Sequence, residues 1–279
     1  RNQWANTNGS YFHSYVFSDA YLKEYKSGVG LDLSYSDANS GGSTLLTIGG
    51  RYNYRLNLNR KWSSSIGLSA SYASIKMNKD KLVFEDQLNS KGGLTSTSEN
   101  ADAVQNRGYL DLGIGSVFYI EGTTEISFGI KHINFPSLKS LNNNKTLIKP
   151  MLSIYAKHRI KVAGSFYRPN SKEIYMLPSL LFLNQNQFNQ IKIGSAVEVE
   201  LVQFGFYYRS GLGKLDGEYS KNDALVVMGG LNTESFNMTY SYDMNVSAER
   251  SSTSSHEISL IYIKKPNILK GLPKAKKRR

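Results

Sequence analysis

The sequence predicts an all-β fold, an integral outer-membrane antiparallel β-barrel of about 14 strands, of which about 13 are visible in the 279 residues. Three observations predict it. Apolar and polar residues alternate with period two along most of the chain, and helical periodicity is almost absent. The second face of the strands is rich in Gly, Ser, Ala, Thr and Asn, where an exposed face of a soluble sandwich would carry many Lys and Glu. Short links alternate with longer polar ones, which is the habit of barrels with tight turns at one mouth and loops at the other.

Taken in order, strands are expected near 9–18, 28–36, 44–58, 62–77, 109–120, 123–133, 149–163, 173–183, 188–199, 201–209, 223–231, 235–245 and 255–263. Val29, Leu31, Leu33 and Tyr35 alternate with Gly30, Asp32, Ser34 and Ser36. Ile66, Leu68, Ala70 and Tyr72 alternate with Gly67, Ser69, Ser71 and Ala73, and Ile126, Phe128 and Ile130 with Glu125, Ser127, Gly129 and Lys131. Phe236, Met238, Tyr240, Tyr242 and Met244 alternate with Asn237, Thr239, Ser241, Asp243 and Asn245. Several strands run to about ten residues, enough to cross a bilayer at a tilt. No stretch approaches the roughly 20 apolar residues of a spanning helix.

The links near 37–43, 78–108, 134–148, 184–187, 210–222 and 246–254 are mostly long and polar, and those near 59–61, 121–122, 200–201 and 232–234 are short. The links at 19–27 and 164–172 break this rule. Because single-chain bacterial barrels have even strand numbers, one further strand is expected ahead of Arg1. The opening residues show no charged start followed by an apolar run, so no signal peptide is visible. If the last strand ends in the periplasm, the long loops face outward.

The charge is concentrated at the end of the chain. Net charge is +12, and residues 264–279 hold Lys264, Lys265, Lys270, Lys274, Lys276, Lys277, Arg278 and Arg279 with no acid, so subtracting these eight leaves +4 for residues 1–263. The expected division is therefore a transmembrane barrel over 1–263 and a basic periplasmic tail over 264–279. The eight tail cations are the candidate partner-binding residues, an electrostatic dock for an acidic partner. Pro266 and Pro273 argue against one regular helix there.

Catalysis is not expected. His13, His132, His158 and His256 are widely spread, and none has the spacing of a metal motif. Ser255 and His256 adjoin, but neighbours on a strand point to opposite faces and cannot share a proton. Without Cys there is neither a disulfide framework nor a thiolate site. "GLGKLDG" at Gly211–Gly217 lacks the Gly-Lys-Ser/Thr of a phosphate loop and suits a loop tip. In the long link at 78–108, Leu82, Val83 and Phe84 form a short apolar patch. Asp80, Glu85, Asp86 and Glu99 there have no regular calcium-loop spacing. No metal or cofactor is expected. Tyr11, Tyr15, Tyr35, Tyr72, Tyr119, Tyr208, Tyr240 and Tyr262 are expected as interfacial girdle residues, satisfied at both ring and hydroxyl.

Four segments carry a resemblance: "RNQW" at Arg1–Trp4, Val29–Tyr72, Leu110–Leu138 and Met238–Tyr262. The last, with its Tyr-Ser-Tyr-Asp strand, Ser-rich loop and Ser-His-Glu-Ile opening the final strand, is the most specific. Together they resemble the PorP/SprF family of Bacteroidetes outer-membrane proteins associated with type IX secretion and gliding motility. The chain departs from that pattern by lacking an Asn-Pro-Ala-Tyr-Ala-Gly type segment before Arg1 and by continuing past the usual end near Tyr262. The resemblance implies a non-catalytic barrel in outer-membrane lipid. It further implies that the barrel is expected to anchor or present a secreted surface protein with a type IX C-terminal domain, such as a gliding adhesin, and to couple it to periplasmic or lipoprotein partners, with no nucleic acid involved. Two rivals stand beside it: a passive transporter of fatty acids or small solutes, and a soluble secreted glycan-binding sandwich.

Overall fold

A computed structural model describes residues 1–3, 10–38, 42–78, 81, 106–139, 145–164, 172–215, 218–246 and 254–264. The strands are β1 Asn2–Gln3, β2 Tyr11–Leu22, β3 Ser27–Ala38, β4 Ser43–Asn57, β5 Ser63–Met77, β6 Arg107–Ile120, β7 Thr124–Lys131, β8 Ser137–Lys139 and β9 Lys145–Leu147. They continue with β10 Met151–His158, β11 Ile160–Ala163, β12 Ile174–Gln185, β13 Phe188–Val199, β14 Val202–Leu215, β15 Glu218–Asn232, β16 Phe236–Asn245 and β17 Ser255–Tyr262. Each pairs antiparallel with its sequence neighbour around one sheet, except the separate β8–β9 hairpin. Pairing of β10 with β12, from Met151↔Gln185 to Lys157↔Ser179, closes that sheet on itself. With β10 and β11 as two parts of one strand broken at Arg159, the ring is a closed 14-strand barrel.

The thirteen long strands correspond to the thirteen expected ones. The fourteenth position is held by β1, whose Asn2 and Gln3 bridge β2 on one side and β17 on the other. Among the described residues no ladder joins β2 directly to β17.

Several expected links are corrected. The expected loop at 210–222 is mostly strand: β14 and β15 stay paired through Gly213↔Ser220 to Leu215↔Glu218. The link expected at 184–187 is a tight turn at 186–187, with Asn186 at φ 54. The irregular 19–27 becomes strand to Leu22, then one 3-10 turn, Lys23–Tyr25, with Lys26 left-handed at φ 50. The 134–148 loop carries the β8–β9 hairpin.

These corrections tighten links at both mouths, and the remaining asymmetry rests on three long links at one of them. One holds the links 23–26, 58–62, 121–123, 200–201 and 233–235, with 164–173 as its one longer member. Local chemistry explains the tight ones. Asn59 Oδ1 accepts from the amides of Lys61 and Trp62, both at 2.8 Å. Gly122 takes φ 70, and the Thr233 hydroxyl donates to the Phe236 carbonyl at 2.7 Å. The other mouth holds 78–106, 132–150 and 246–254, beside the short 39–42, 186–187 and 216–217.

The alternation in sequence becomes the two faces of the wall. Leu31 is 71% exposed, Phe206 70% and Ile258 66%, all on the outer face, as a wall meant for lipid requires. Parts of the opposite face, β3 and β5 above all, are built from small residues, and glycines there let strands approach. At Gly194 on β13, a Cβ would stand 2.2 Å from the Phe206 carbonyl oxygen and 2.6 Å from the Tyr207 Cα of β14. Gly194→Ala is therefore expected to destabilise the barrel by about 1–3 kcal/mol through overpacking against backbone. Gly50→Ala, with nothing within 4 Å of the added atom, should be near neutral. Urea unfolding of the two variants in vesicles distinguishes them, and equal midpoints would contradict the close approach.

Candidate functional site: the lumen wall and its mouths

Side chains that meet across an intervening strand identify the inner face, because only the concave side brings them together. Arg51 on β4 reaches over β3 to the Tyr15 hydroxyl on β2, donating at 2.7 Å. Arg209 on β14 reaches over β15 to Asp243 on β16 at 2.5 Å. Arg159 reaches over β12 to Glu198 on β13 at 2.5 Å. The registers through these residues place Tyr11, Tyr15 and Tyr119 inside, not on the outer girdle expected of them. Tyr35, Tyr72, Tyr208, Tyr240 and Tyr262 do face outward.

The lumen is lined by cations seated on tyrosines. Arg51 lies 5.8 Å from the Tyr15 ring centroid, Arg55 5.3 Å from Tyr119, Arg159 3.4 Å from Tyr175 and Lys192 4.7 Å from Tyr207. Such contacts hold long side chains against the wall. At the short-turn mouth Tyr119 and Arg159 border a cavity of about 520 Å³ whose lining also includes Glu125, Lys157 and Glu198 over Leu177. Just outside the strands, hydrogen bonds from Lys161 and Tyr175 hold the Glu173 carboxyl below the usual carboxylate range. Higher in the lumen, Asp243 also accepts from Arg1 at 3.1 Å, and Arg1 lies 3.7 Å from Glu257. Arrays of this kind bind and orient. On the same inner face the Ser36 hydroxyl of β3 lies 2.8 Å from His13 Nδ1 of β2.

The family model described as "Type IX secretion system membrane protein PorP/SprF" matches residues 1–262. The chain belongs to the PorP/SprF family. No curated protein matches it significantly. Among solved structures it is similar to the crystal structure of BamA from Haemophilus ducreyi lacking POTRA domains 1–3, at 9% identity and TM-score 0.46. That likeness covers 91% of this chain and 63% of the other, so the chain spans less than two thirds of the structure it matches. It is too distant to carry anything further.

In this PorP/SprF family member, Lys264 is the only one of the eight tail cations within the described residues; Lys265, Lys270, Lys274, Lys276, Lys277, Arg278 and Arg279 lie outside them. So do the Leu82–Phe84 patch and Asp80, Glu85, Asp86 and Glu99. β17 delivers Lys264 to the short-turn mouth, with the Ile263 amide bonded to the Ser235 carbonyl at 2.8 Å. Ser255 is buried on the inner face, whereas His256 lies outside, with its Nδ1 2.8 Å from the Tyr240 hydroxyl and its ring 5.0 Å from Tyr242. The two cannot form a catalytic pair. Among the described residues no group of three or more His, Asp or Glu is placed to hold a metal. The cross-lumen pairs were missed from sequence, because their partners lie 34 to 39 residues apart and meet only through wall curvature.

Proposed function

We propose that this barrel sits in the outer membrane with its short turns in the periplasm, where it anchors or presents a type IX-secreted surface protein and couples it to periplasmic or lipoprotein partners. Family membership supports the system. The single observation that supports the coupling is the exit of β17 at the short-turn mouth, where it delivers Lys264; on our reading that mouth faces the periplasm, and the seven further cations that follow in the sequence belong to the same side. The barrel works by holding, not by catalysis. An acidic surface on the periplasmic partner would meet the tail as exposed charges, screened over about 8 Å at physiological ionic strength.

Deletion of residues 265–279 should leave the barrel inserted, because every ladder ends by Tyr262. Co-purification in mild detergent, followed by mass spectrometry, should then show the secreted surface protein and periplasmic partners reduced. The wild-type complex should lose the same partners at high salt. A tail labelled from outside intact cells would invert the topology. A truncated barrel that keeps every partner would leave the tail without this role.

A further inference from the structure

Strand β2 is unlike its neighbours on the inner face. Where β3 and β5 present mainly Gly and Ser to the lumen, the inward positions of β2 are Tyr11, His13, Tyr15, Phe17, Asp19 and Tyr21. Tyr15, Phe17 and Tyr21 are 42%, 48% and 52% exposed. Tyr15 and Phe17 stack at 5.8 Å between centroids, with planes 27° apart. From Tyr11 to Tyr21 the column climbs roughly 34 Å along the strand, most of the thickness of a bilayer.

The column does not stand alone. Beside it a cavity of about 370 Å³ is lined by Phe17, Asp19 and Tyr21 on one flank and by Asp32, Arg51 and Asn53 on the other. That volume lies within the range of small-ligand sites, roughly 300–1,000 Å³. Gly28 and Gly30 form its floor, and a Cβ at Gly28 would strike the Asn53 side chain at 2.6 Å, so the floor stays low. Arg51 is fixed, its Nε donating to Asp32 Oδ1 at 2.8 Å and its second nitrogen to Tyr15. Because Asp32 already compensates Arg51, and Asp19 adds a further carboxylate, the groove offers no net positive charge to an anionic chain. It offers aromatic faces alternating with a planar guanidinium, carboxylates and an amide.

We propose that this groove is a track for a neutral linear oligosaccharide. Sugar C–H faces stack on Phe17, Tyr21 and Tyr15, and hydroxyls donate to Asp19 and Asp32 and accept from Arg51 and Asn53. The track is independent of whether the tail couples the barrel to partners.

The test uses the folded barrel in detergent, with maltohexaose, cellohexaose and mannohexaose as probes and saturation-transfer NMR titration as the readout. At least one hexasaccharide should bind, with transfer to its ring C–H protons. Phe17→Ala and Tyr21→Ala should each weaken that binding about tenfold, the loss expected from removing part of an aromatic contact surface. Phe17→Trp should retain it. Val16→Ala, on the outer face of the same strand, should leave it unchanged. Heat-modifiable migration shows each variant to be folded. The track is refuted if no hexasaccharide binds the folded wild type, if binding survives both alanine variants, or if a cationic peptide binds there and the sugars do not.

Discussion

Leu33→Arg and Met238→Arg are expected to cripple membrane insertion, while Ser34→Arg and Thr239→Arg are tolerated. The four positions are sequence neighbours in pairs, so local propensity is nearly constant and only the face differs. Leu33 is 44% exposed and Met238 40%, both on the outer wall, whereas Ser34 and Thr239 face the lumen. A cation on the lipid face near mid-membrane costs about 2–4 kcal/mol. In the lumen the same guanidinium meets water and carboxylates such as Asp32 and Glu257. The measurement is the fraction of heat-modifiable, protease-resistant barrel formed in vesicles. If the two faces respond alike, the outer wall does not contact lipid as described.

Period two was legible where one face is greasy and the other small, as in β3 and β5. It failed where that contrast vanishes. Beyond Ser210 the chain reads Gly-Leu-Gly-Lys-Leu-Asp-Gly-Glu, with too few apolar positions to show a face, yet the β14–β15 ladder continues because backbone pairing needs no apolar side chain. β2 failed in the opposite sense. Tyr15, Phe17 and Tyr21 alternate with Val16, Ala20 and Leu22, so both faces are apolar and composition cannot say which one is inside. The decision comes from Asp32 and Arg51, 19 residues apart in the chain, which hold Tyr15 inward. Over β12, Leu177, Leu180, Leu181, Phe182 and Leu183 again cover both faces. The tight turns at 59–62 and 233–236 were legible because their signal is local: an Asn or Thr side chain bonds backbone within three residues.

Asp243→Asn is expected to be among the most destabilising single changes in the lumen, although it deletes no volume. The carboxylate is only 10% exposed and accepts from Arg209, itself 16% exposed, and from Arg1. Those partners come from β14 and from the residue preceding β1, so one acid draws together the arc β14–β15–β16–β17–β1. Backbone pairing alone holds β1 by two residues on each side, so this arc is where the ring has least ladder to spare. Neutralising Asp243 leaves two guanidiniums facing each other with Glu257 as the nearest remaining acid. Removing one partner of a buried ion pair costs about 3–5 kcal/mol, and water in the lumen sets the expectation near the lower end, about 3 kcal/mol. Arg209→Met in the same chain should recover part of the loss, since it removes a charge that has lost its partner. Contacting pairs of this kind show coupling of about 0.5–3 kcal/mol in double-mutant cycles. Urea unfolding of wild type, both single variants and the double variant in vesicles measures it. Strictly additive losses would mean that Asp243 and Arg209 are neighbours without being partners, and that the ladder alone closes the barrel.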